Sequence, residues 1–196
     1  KKKRRKKAEI AKLKDTLIYV LKGISIYAEK AKDYNINDEK ASKFIVDGLF
    51  ATINNVNFDK ERFEEMIAEG IEIRDELKEK FEKAYQKEHG KEYNKDLPER
   101  TKWQPNDKND YYTKGEKVGV LNTENKDIRS LRELLTYGLK GVAAYLHHAE
   151  VLGYSDQNIN QFIQKGLAAT TDDSLSVNDL VGLVMECGET AVNTMA

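Results

Sequence analysis

The second part of this chain repeats the first without a gap, and this repeat limits the possible folds more than any other feature. A shift of about 118 positions aligns the two copies over roughly sixty residues. The matched residues of the first copy are Leu13, Leu17, Tyr19, Leu21, Lys22, Gly23, Tyr27, Ala31, Phe44-Ile45, Gly48-Leu49, Ala51-Thr52 and Gly70. Their equivalents are Leu131, Leu135, Tyr137, Leu139, Lys140, Gly141, Tyr145, Ala149, Phe162-Ile163, Gly166-Leu167, Ala169-Thr170 and Gly188. The match indicates two copies of one supersecondary unit, and its mostly apolar residues indicate packing.

Helical spacing dominates both copies. Leu13, Leu17, Leu21, Ile24 and Ala28 recur at steps of three and four residues, which predicts a helix over about 11–31. Similar patterns predict helices over about 38–52, 59–90, 131–151, 156–170 and 176–196. The composition agrees with a helix-rich protein, because 34% of the 196 residues are charged and only two are proline.

Polar residues and glycines mark the predicted helix ends. Asn37 and Ser155 lie at equivalent offsets where N-caps are expected, and Gly153 favours a left-handed stop. Ser176 with Asp179 resembles a capping box. A further turn is indicated by three asparagines: Asn54, Asn55 and Asn57.

The predicted fold is all-α, with two tandem three-helix bundles related by the repeat. The expected parts are a basic head at 1–7, a first bundle at 8–90, a linker at 91–126 and a second bundle at 127–196. Gly23 and Gly141 lie inside equivalent helices, where glycine costs about 1 kcal/mol relative to alanine. Such a cost indicates close helix contacts there, as also at Gly48 and Gly166, so replacing Gly141 by leucine is expected to destabilise the fold. A glycine that admits a ligand or cofactor is the alternative.

The linker is long for a compact protein, and connections of this length are functional or disordered. It contains both prolines, the single tryptophan and three tyrosines, and these aromatics favour a linker that packs on the bundles. The aromatic residues are Tyr93, Trp103, Tyr111 and Tyr112. A short extended piece is expected at Val118–Leu121.

The charges are distributed unevenly. The first seven residues are all basic, whereas the remainder carries 26 basic and 34 acidic side chains. An acidic body is poorly suited to nucleic acid, so only weak, non-specific contact through the head is expected. An engineered segment or a replaced terminus is the other interpretation of the head. The head residues are Lys1, Lys2, Lys3, Arg4, Arg5, Lys6 and Lys7.

No catalytic or metal-ligating constellation is evident. His147 and His148 are adjacent and therefore point about 100° apart on a helix, and His89 lacks the Glu-x-x-His spacing of di-iron bundles. Cys187 lies in an apolar stretch, which favours a buried, inert thiol, and a single cysteine excludes an internal disulfide. Glu61, Glu64, Glu65 and Glu69 are interpreted as a solvated helix face. No catalytic, cofactor-binding or metal residue is predicted, no membrane span is expected, and a cytoplasmic location follows by default.

Two segments resemble the hybrid cluster protein family, also called prismane proteins or hydroxylamine reductases. They are LKDTLIYVLKGISIYA (Leu13–Ala28) and TENKDIRSLRELLTYGLKGVAAYLHHA (Thr123–Ala149), and the resemblance covers nearly all of Ala8–Ala196. It implies a first domain of two three-helix bundles set roughly at right angles. It also implies a parent that reduces hydroxylamine or related nitrogen oxides with a cubane iron–sulfur cluster and a hybrid iron–sulfur–oxygen cluster.

The departures from that family shape the functional expectation. A cysteine-rich, cluster-binding segment precedes the first helix in the family, and Lys1–Lys7 stand in that place here. The resemblance implies that the hybrid cluster is held by other domains. We therefore expect the helical scaffold of a hydroxylamine reductase, without cofactor or redox activity of its own, whose partners are the remaining domains of the parent. The alternatives are a carrier module whose basic head binds an acidic partner or import receptor, and one chain of an assembly whose other chains supply the clusters.

Overall fold

The structure is a computed structural model that describes residues 1–54, 59–119 and 123–195. Within these ranges it contains α-helices, one 3-10 turn (Glu99–Thr101) and no strand, so the predicted all-α class is confirmed. The helices are α1 (Lys2–Lys32), α2 (Glu39–Ile53), α3 (Lys60–His89), α4 (Asn109–Val118), α5 (Lys126–Val151), α6 (Gln157–Ala169) and α7 (Val177–Met195).

Helix α1 begins at Lys2 and not near Ala11 as predicted. The basic head is therefore the exposed first turns of α1, because Lys and Arg are good helix formers and no capping residue interrupts them. The predicted end of α3 is confirmed by Gly90, whose φ of 69° lies in the left-handed region. Gly153, with a φ of 87°, ends α5 in the same way.

The two N-caps of the middle helices lie one residue later than predicted. Asp38 and Asp156, rather than Asn37 and Ser155, cap α2 and α6, because their carboxylates reach the first backbone amides. Asp38 Oδ1 accepts from the amide of Ala41 at 2.9 Å. The capping box of Ser176 and Asp179 is confirmed in both directions, by distances of 3.2 Å and 2.8 Å.

Two predicted features fall partly or wholly outside the described residues. The turn assigned to Asn55 and Asn57 lies there, and so does most of the extended piece after Val118. Val118 itself is the last residue of α4 and is not extended. The sequence prediction missed α4 altogether, because its only buried residues are Tyr111 and Gly115 and its apolar pattern is correspondingly weak.

The two copies share one hydrophobic core. α1 packs against α2 and α3, and α5 packs against α6 and α7, while α1–α6 and α2–α5 contacts join the copies. At this seam the buried Gln164 amide donates to Ser42 Oγ at 2.7 Å. The division into two bundles at roughly right angles, and the boundaries at residues 8, 91 and 127, stay predictions.

Two of the four predicted glycine contacts obey the repeat closely. A Cβ at Gly48 would lie 2.9 Å from Leu21 Cδ1, and one at Gly166 would lie 2.8 Å from the equivalent atom of Leu139. The first two helices of each copy therefore approach through the same glycine–leucine contact, as predicted.

The other glycine pair does not obey the repeat. A Cβ at Gly23 would overlap the carbonyl oxygen of Arg100, so the close neighbour is the 3-10 turn and not another long helix. Apart from the adjoining turns of α5 itself, no atom of the described residues lies within 4 Å of a Cβ placed at Gly141. The predicted close contact at Gly141 is wrong, because no described segment covers α5 as the 3-10 turn covers α1.

The linker is held against the first copy, as its aromatic content predicted. Trp103 packs edge-on against Tyr19 with ring centroids 5.8 Å apart, and Tyr93 packs on Phe81 at 4.9 Å. Buried Thr16 donates its hydroxyl to the carbonyl of Tyr111 at 2.5 Å. The linker thereby closes over α1 and brings the 3-10 turn to the boundary between the copies.

Candidate functional site

A cavity of about 910 Å³ lies between α1 and α5, and we call it the inter-repeat cavity. The 3-10 turn, residues 117–119, residues 123–125 and the segment 170–175 contribute the rest of its lining. The two long walls are related by the internal repeat, since each carries an acid, a tyrosine and a lysine at equivalent positions. These pairs are Asp15 and Glu133, Tyr19 and Tyr137, and Lys22 and Lys140.

Five cationic side chains line the inter-repeat cavity: Lys22, Arg100, Lys117, Arg132 and Lys140. The ammonium groups of Lys22 and Lys140 have no hydrogen-bond partner among the described residues, whereas Lys117 is engaged by another residue. The Nε atoms of Arg100 and Arg132 are buried and also lack a hydrogen-bond partner. Donors of four side chains are thus left available at one place in the fold.

Five acidic side chains line the same cavity, so acids and cations are equal in number; of the five, Glu124 and Glu133 are exposed to solvent. Glu99 is engaged by Lys114 Nζ at 3.2 Å and by the Tyr19 hydroxyl at 3.1 Å. Asp173 Oδ1 accepts from Arg132 Nη2 at 3.0 Å. Asp15 stays exposed to water, although partial enclosure by the protein raises its pKa.

The electrostatic consequence is largest at Lys22. Desolvation, together with repulsion from Arg100, Arg132 and Lys140, lowers the pKa of Lys22 to about 7, and Asp15 opposes this shift. Burial also lowers the pKa of Lys140 and that of Arg100. Like charges therefore face one another across the inter-repeat cavity in an environment that penalises charge.

We expect Lys22→Met to raise the free energy of unfolding at pH 6 by about 1 to 3 kcal/mol, because it removes a partly buried charge that three neighbouring cations repel. Between the native pKa of about 7 and the ordinary value near 10.5, the unfolded chain binds more protons, so wild-type stability rises with pH. The advantage of Lys22→Met should therefore shrink above pH 7. Urea denaturation of both proteins at pH 6 and 8.5 tests this, and a pH-independent difference would contradict it.

The histidines do not form a ligand set. His147 stacks on Phe50 with ring centroids 4.2 Å apart, and its Nδ1 lies 3.0 Å from Asp47 Oδ1. His148 meets Phe50 edge-on. On α3, His89 Nε2 lies 3.0 Å from the Tyr34 hydroxyl. These contacts are packing and hydrogen bonding within and between helices.

The predicted burial of Cys187 is confirmed, since only 4% of the residue is exposed and burial raises the pKa of its thiol. Its Sγ packs against Gly138 on α5.

Among the glutamates, the prediction for Glu64 is wrong. This residue accepts from the Tyr112 hydroxyl at 2.7 Å and from Lys108 Nζ at 3.0 Å, so it anchors the linker. These two hydrogen bonds, that of Tyr112 first, lower the pKa of Glu64. Glu61, Glu65 and Glu69 are exposed as predicted.

The donor atoms of the described residues do not fit an iron–sulfur cluster. Within 1–54, 59–119 and 123–195, no group of three or more His, Cys, Asp or Glu side chains is placed to hold a metal ion. The one thiol is buried against α5. Likewise, none of the helices in these ranges is long and apolar enough to cross a membrane, and the cytoplasmic location stays a prediction.

The inter-repeat cavity was not predicted from the sequence. The sequence feature that could have indicated this cavity is the repeat, because Lys22 and Lys140 are the one charged pair among the matched residues. A charged residue repeated among apolar ones is unusual for a pattern that serves packing alone. Arg100 and Arg132 carry no comparable signal, since they reach the cavity only through the folded path of the linker and of α5.

The chain matches the family model described as Prismane/CO dehydrogenase family over residues 6–196. It is 56% identical over 191 residues to a hydroxylamine reductase of Halothermothrix orenii, covering 97% of this chain and 34% of that protein. It is 50% identical over 187 residues to a hydroxylamine reductase of Natranaerobius thermophilus, covering 95% of this chain and 34% of that protein. It is 48% identical over 191 residues to a hydroxylamine reductase of Methanosarcina mazei, covering 97% of this chain and 34% of that protein. The chain thus spans about a third of the length of these relatives, and it belongs to the prismane/CO dehydrogenase family.

Proposed function

We propose that this chain is the helical scaffold of a hydroxylamine reductase, and that the redox chemistry resides in the remaining part of the parent protein. The observation that carries the proposal is the 56% identity to a hydroxylamine reductase over 191 residues, of which this chain spans only a third. The donor set of the described residues supports it, since that set is unsuited to a cluster.

An uncovered face of α5 supports the proposed partner. Tyr19 on α1 is 5% exposed beneath the linker, whereas its equivalent Tyr137 is 76% exposed. Leu134 and Tyr145 on the same helix are exposed as well. Large apolar side chains grouped on one helix mark surfaces that contact other protein. We propose that the remaining domains of the parent cover this face, where the scaffold would shield the clusters and shape access to them.

Iron and acid-labile sulfide analysis of the purified chain tests the proposal. We expect substoichiometric iron, no visible absorbance of an iron–sulfur cluster and no reduction of hydroxylamine with a chemical electron donor. The control is the hydroxylamine reductase of Halothermothrix orenii, prepared and measured in the same way.

A brown protein with stoichiometric iron and sulfide would overturn the proposal that the redox chemistry resides outside this chain. Turnover of hydroxylamine by the chain alone would do the same. Either result would place redox function within these helices.

A further inference from the structure

The inter-repeat cavity holds cationic donors that the described protein leaves without acceptors. These are the ammonium groups of Lys22 and Lys140 and the Nε atoms of Arg100 and Arg132. The two arginine Nε atoms are buried, whereas the two lysines are partly exposed. A buried donor without a partner is costly, so the arginine atoms in particular call for an explanation. A ligand that supplies acceptor oxygens is the explanation that accounts for all four together.

The position of these groups in the fold agrees with a built site. Lys22 and Lys140 come from equivalent turns of α1 and α5, so the repeat brings one lysine from each copy to the same cavity. Arg100 is fixed by the 3-10 turn and lies over the Tyr19 ring, 5.3 Å from its centroid. Arg132 is oriented by its contact with Asp173. The arginine side chains are therefore positioned by neighbours before any ligand arrives.

We propose that the inter-repeat cavity binds an oxyanion with two or more negative charges, held between Lys22 and Lys140 and flanked by the guanidinium groups of Arg100 and Arg132. Phosphate and carboxylate oxygens match the planar donors of arginine, and lysine supplies compact positive charge. A volume of about 910 Å³ also leaves room for an organic phosphate or dicarboxylate. This inference goes beyond the scaffold function and does not depend on it.

The titration of Lys22 supplies a second signature of the same site. The groups that face it are Asp15 on α1, Arg100 on the 3-10 turn, and Arg132 and Lys140 on α5. Because the pKa of Lys22 is lowered to about 7, the ammonium group loses its proton between pH 6 and 8.5. Anion affinity should fall over this interval, and a bound anion should raise that pKa.

The test is calorimetric titration of the whole chain with sodium sulfate at pH 6, with sodium chloride at matched ionic strength as the reference. Sulfate is the probe because its charge stays constant over this pH range. We expect binding that weakens about tenfold or more in Lys22→Gln and Lys140→Gln, since each loses a charge-assisted contact. Lys87→Gln and Lys91→Gln, which remove exposed charges outside the cavity, should bind as the wild type does.

Two further measurements distinguish anion binding in the inter-repeat cavity from non-specific attraction of anions to positive charge. Asp15→Asn should tighten sulfate binding about two- to threefold, because it removes a negative charge from the cavity wall. The affinity of the wild type should fall from pH 6 to 8.5, and that of Lys22→Gln should fall less, since only Lys140, whose pKa is also lowered, is left to lose a proton. Circular dichroism checks that each variant is folded. Sulfate binding no stronger than that of chloride, or unchanged affinity in the two cavity variants, would overturn the proposal.

Discussion

Replacing Arg74 by leucine should lower the free energy of unfolding by about 3 to 5 kcal/mol. Arg74 is fully buried in α3, and its Nη1 donates to the carbonyl of Trp103 at 2.7 Å and to that of Arg100 at 3.3 Å. Its Nε and Nη2 bind Asp75 Oδ1 at 3.0 Å and 2.9 Å. Leucine would leave two linker carbonyls without donors in a water-poor environment, and the linker would lose its contacts with a fully buried side chain.

Urea denaturation with a matched control measures this effect. Arg62→Leu changes an exposed arginine of the same helix, whose ion pair with Glu65 is 3.5 Å long, and should alter stability by less than about 0.5 kcal/mol. Arg74→Lys should fall between the two, because one ammonium group cannot replace the planar donors that reach two carbonyls and a carboxylate. Equal effects of Arg74→Leu and Arg62→Leu would contradict the proposal that Arg74 holds the linker.

The repeat-equivalent glycines should respond in opposite directions to the same substitution. Gly23→Ala is expected to lower the free energy of unfolding by about 1 to 3 kcal/mol, since the added Cβ overlaps a backbone oxygen of Arg100 that has little freedom to move. Gly141→Ala is expected to raise it by about 0.5 to 1 kcal/mol, because the position is open and alanine favours helix.

Each glycine variant is the control for the other, since the local sequence is nearly the same in both copies. Denaturation midpoints and slopes of both single variants and of the double variant give the comparison. The effects should add, because the two sites have no shared neighbour. Destabilisation by Gly141→Ala would mean that something covers α5 in solution, and a neutral Gly23→Ala would mean that the 3-10 turn is not seated on α1.

Helix identity was predictable because it depends on local pattern. The steps of three and four residues that include Leu13, Leu17 and Leu21 require one apolar face on a helix, and each of these residues is fully buried. Caps were predictable only to within one residue, as Asp38 and Asp156 show, because neighbouring polar side chains have similar propensities and the backbone angle decides between them.

The contacts of the linker were less predictable. Its aromatic residues indicated packing, and this is confirmed, but the sequence did not show that Glu64 and Arg74 of α3 would bind it. Charged residues in a long helix ordinarily face water, and only the return of the chain over α3 and α1 places polar partners beside them.

The sequence by itself determined six of the seven described α-helices, the repeat and the family. These depend on periodic spacing and on residue identity, and neither requires knowledge of distant contacts. Tertiary structure alone decided which copy of each repeated residue is covered, and so gave Gly23 and Gly141, or Tyr19 and Tyr137, opposite surroundings. It also created the inter-repeat cavity, where Lys22 and Lys140 meet across a boundary between segments far apart in sequence. The physical reason is that burial and electrostatic potential at a side chain are set by whichever segments pack against it.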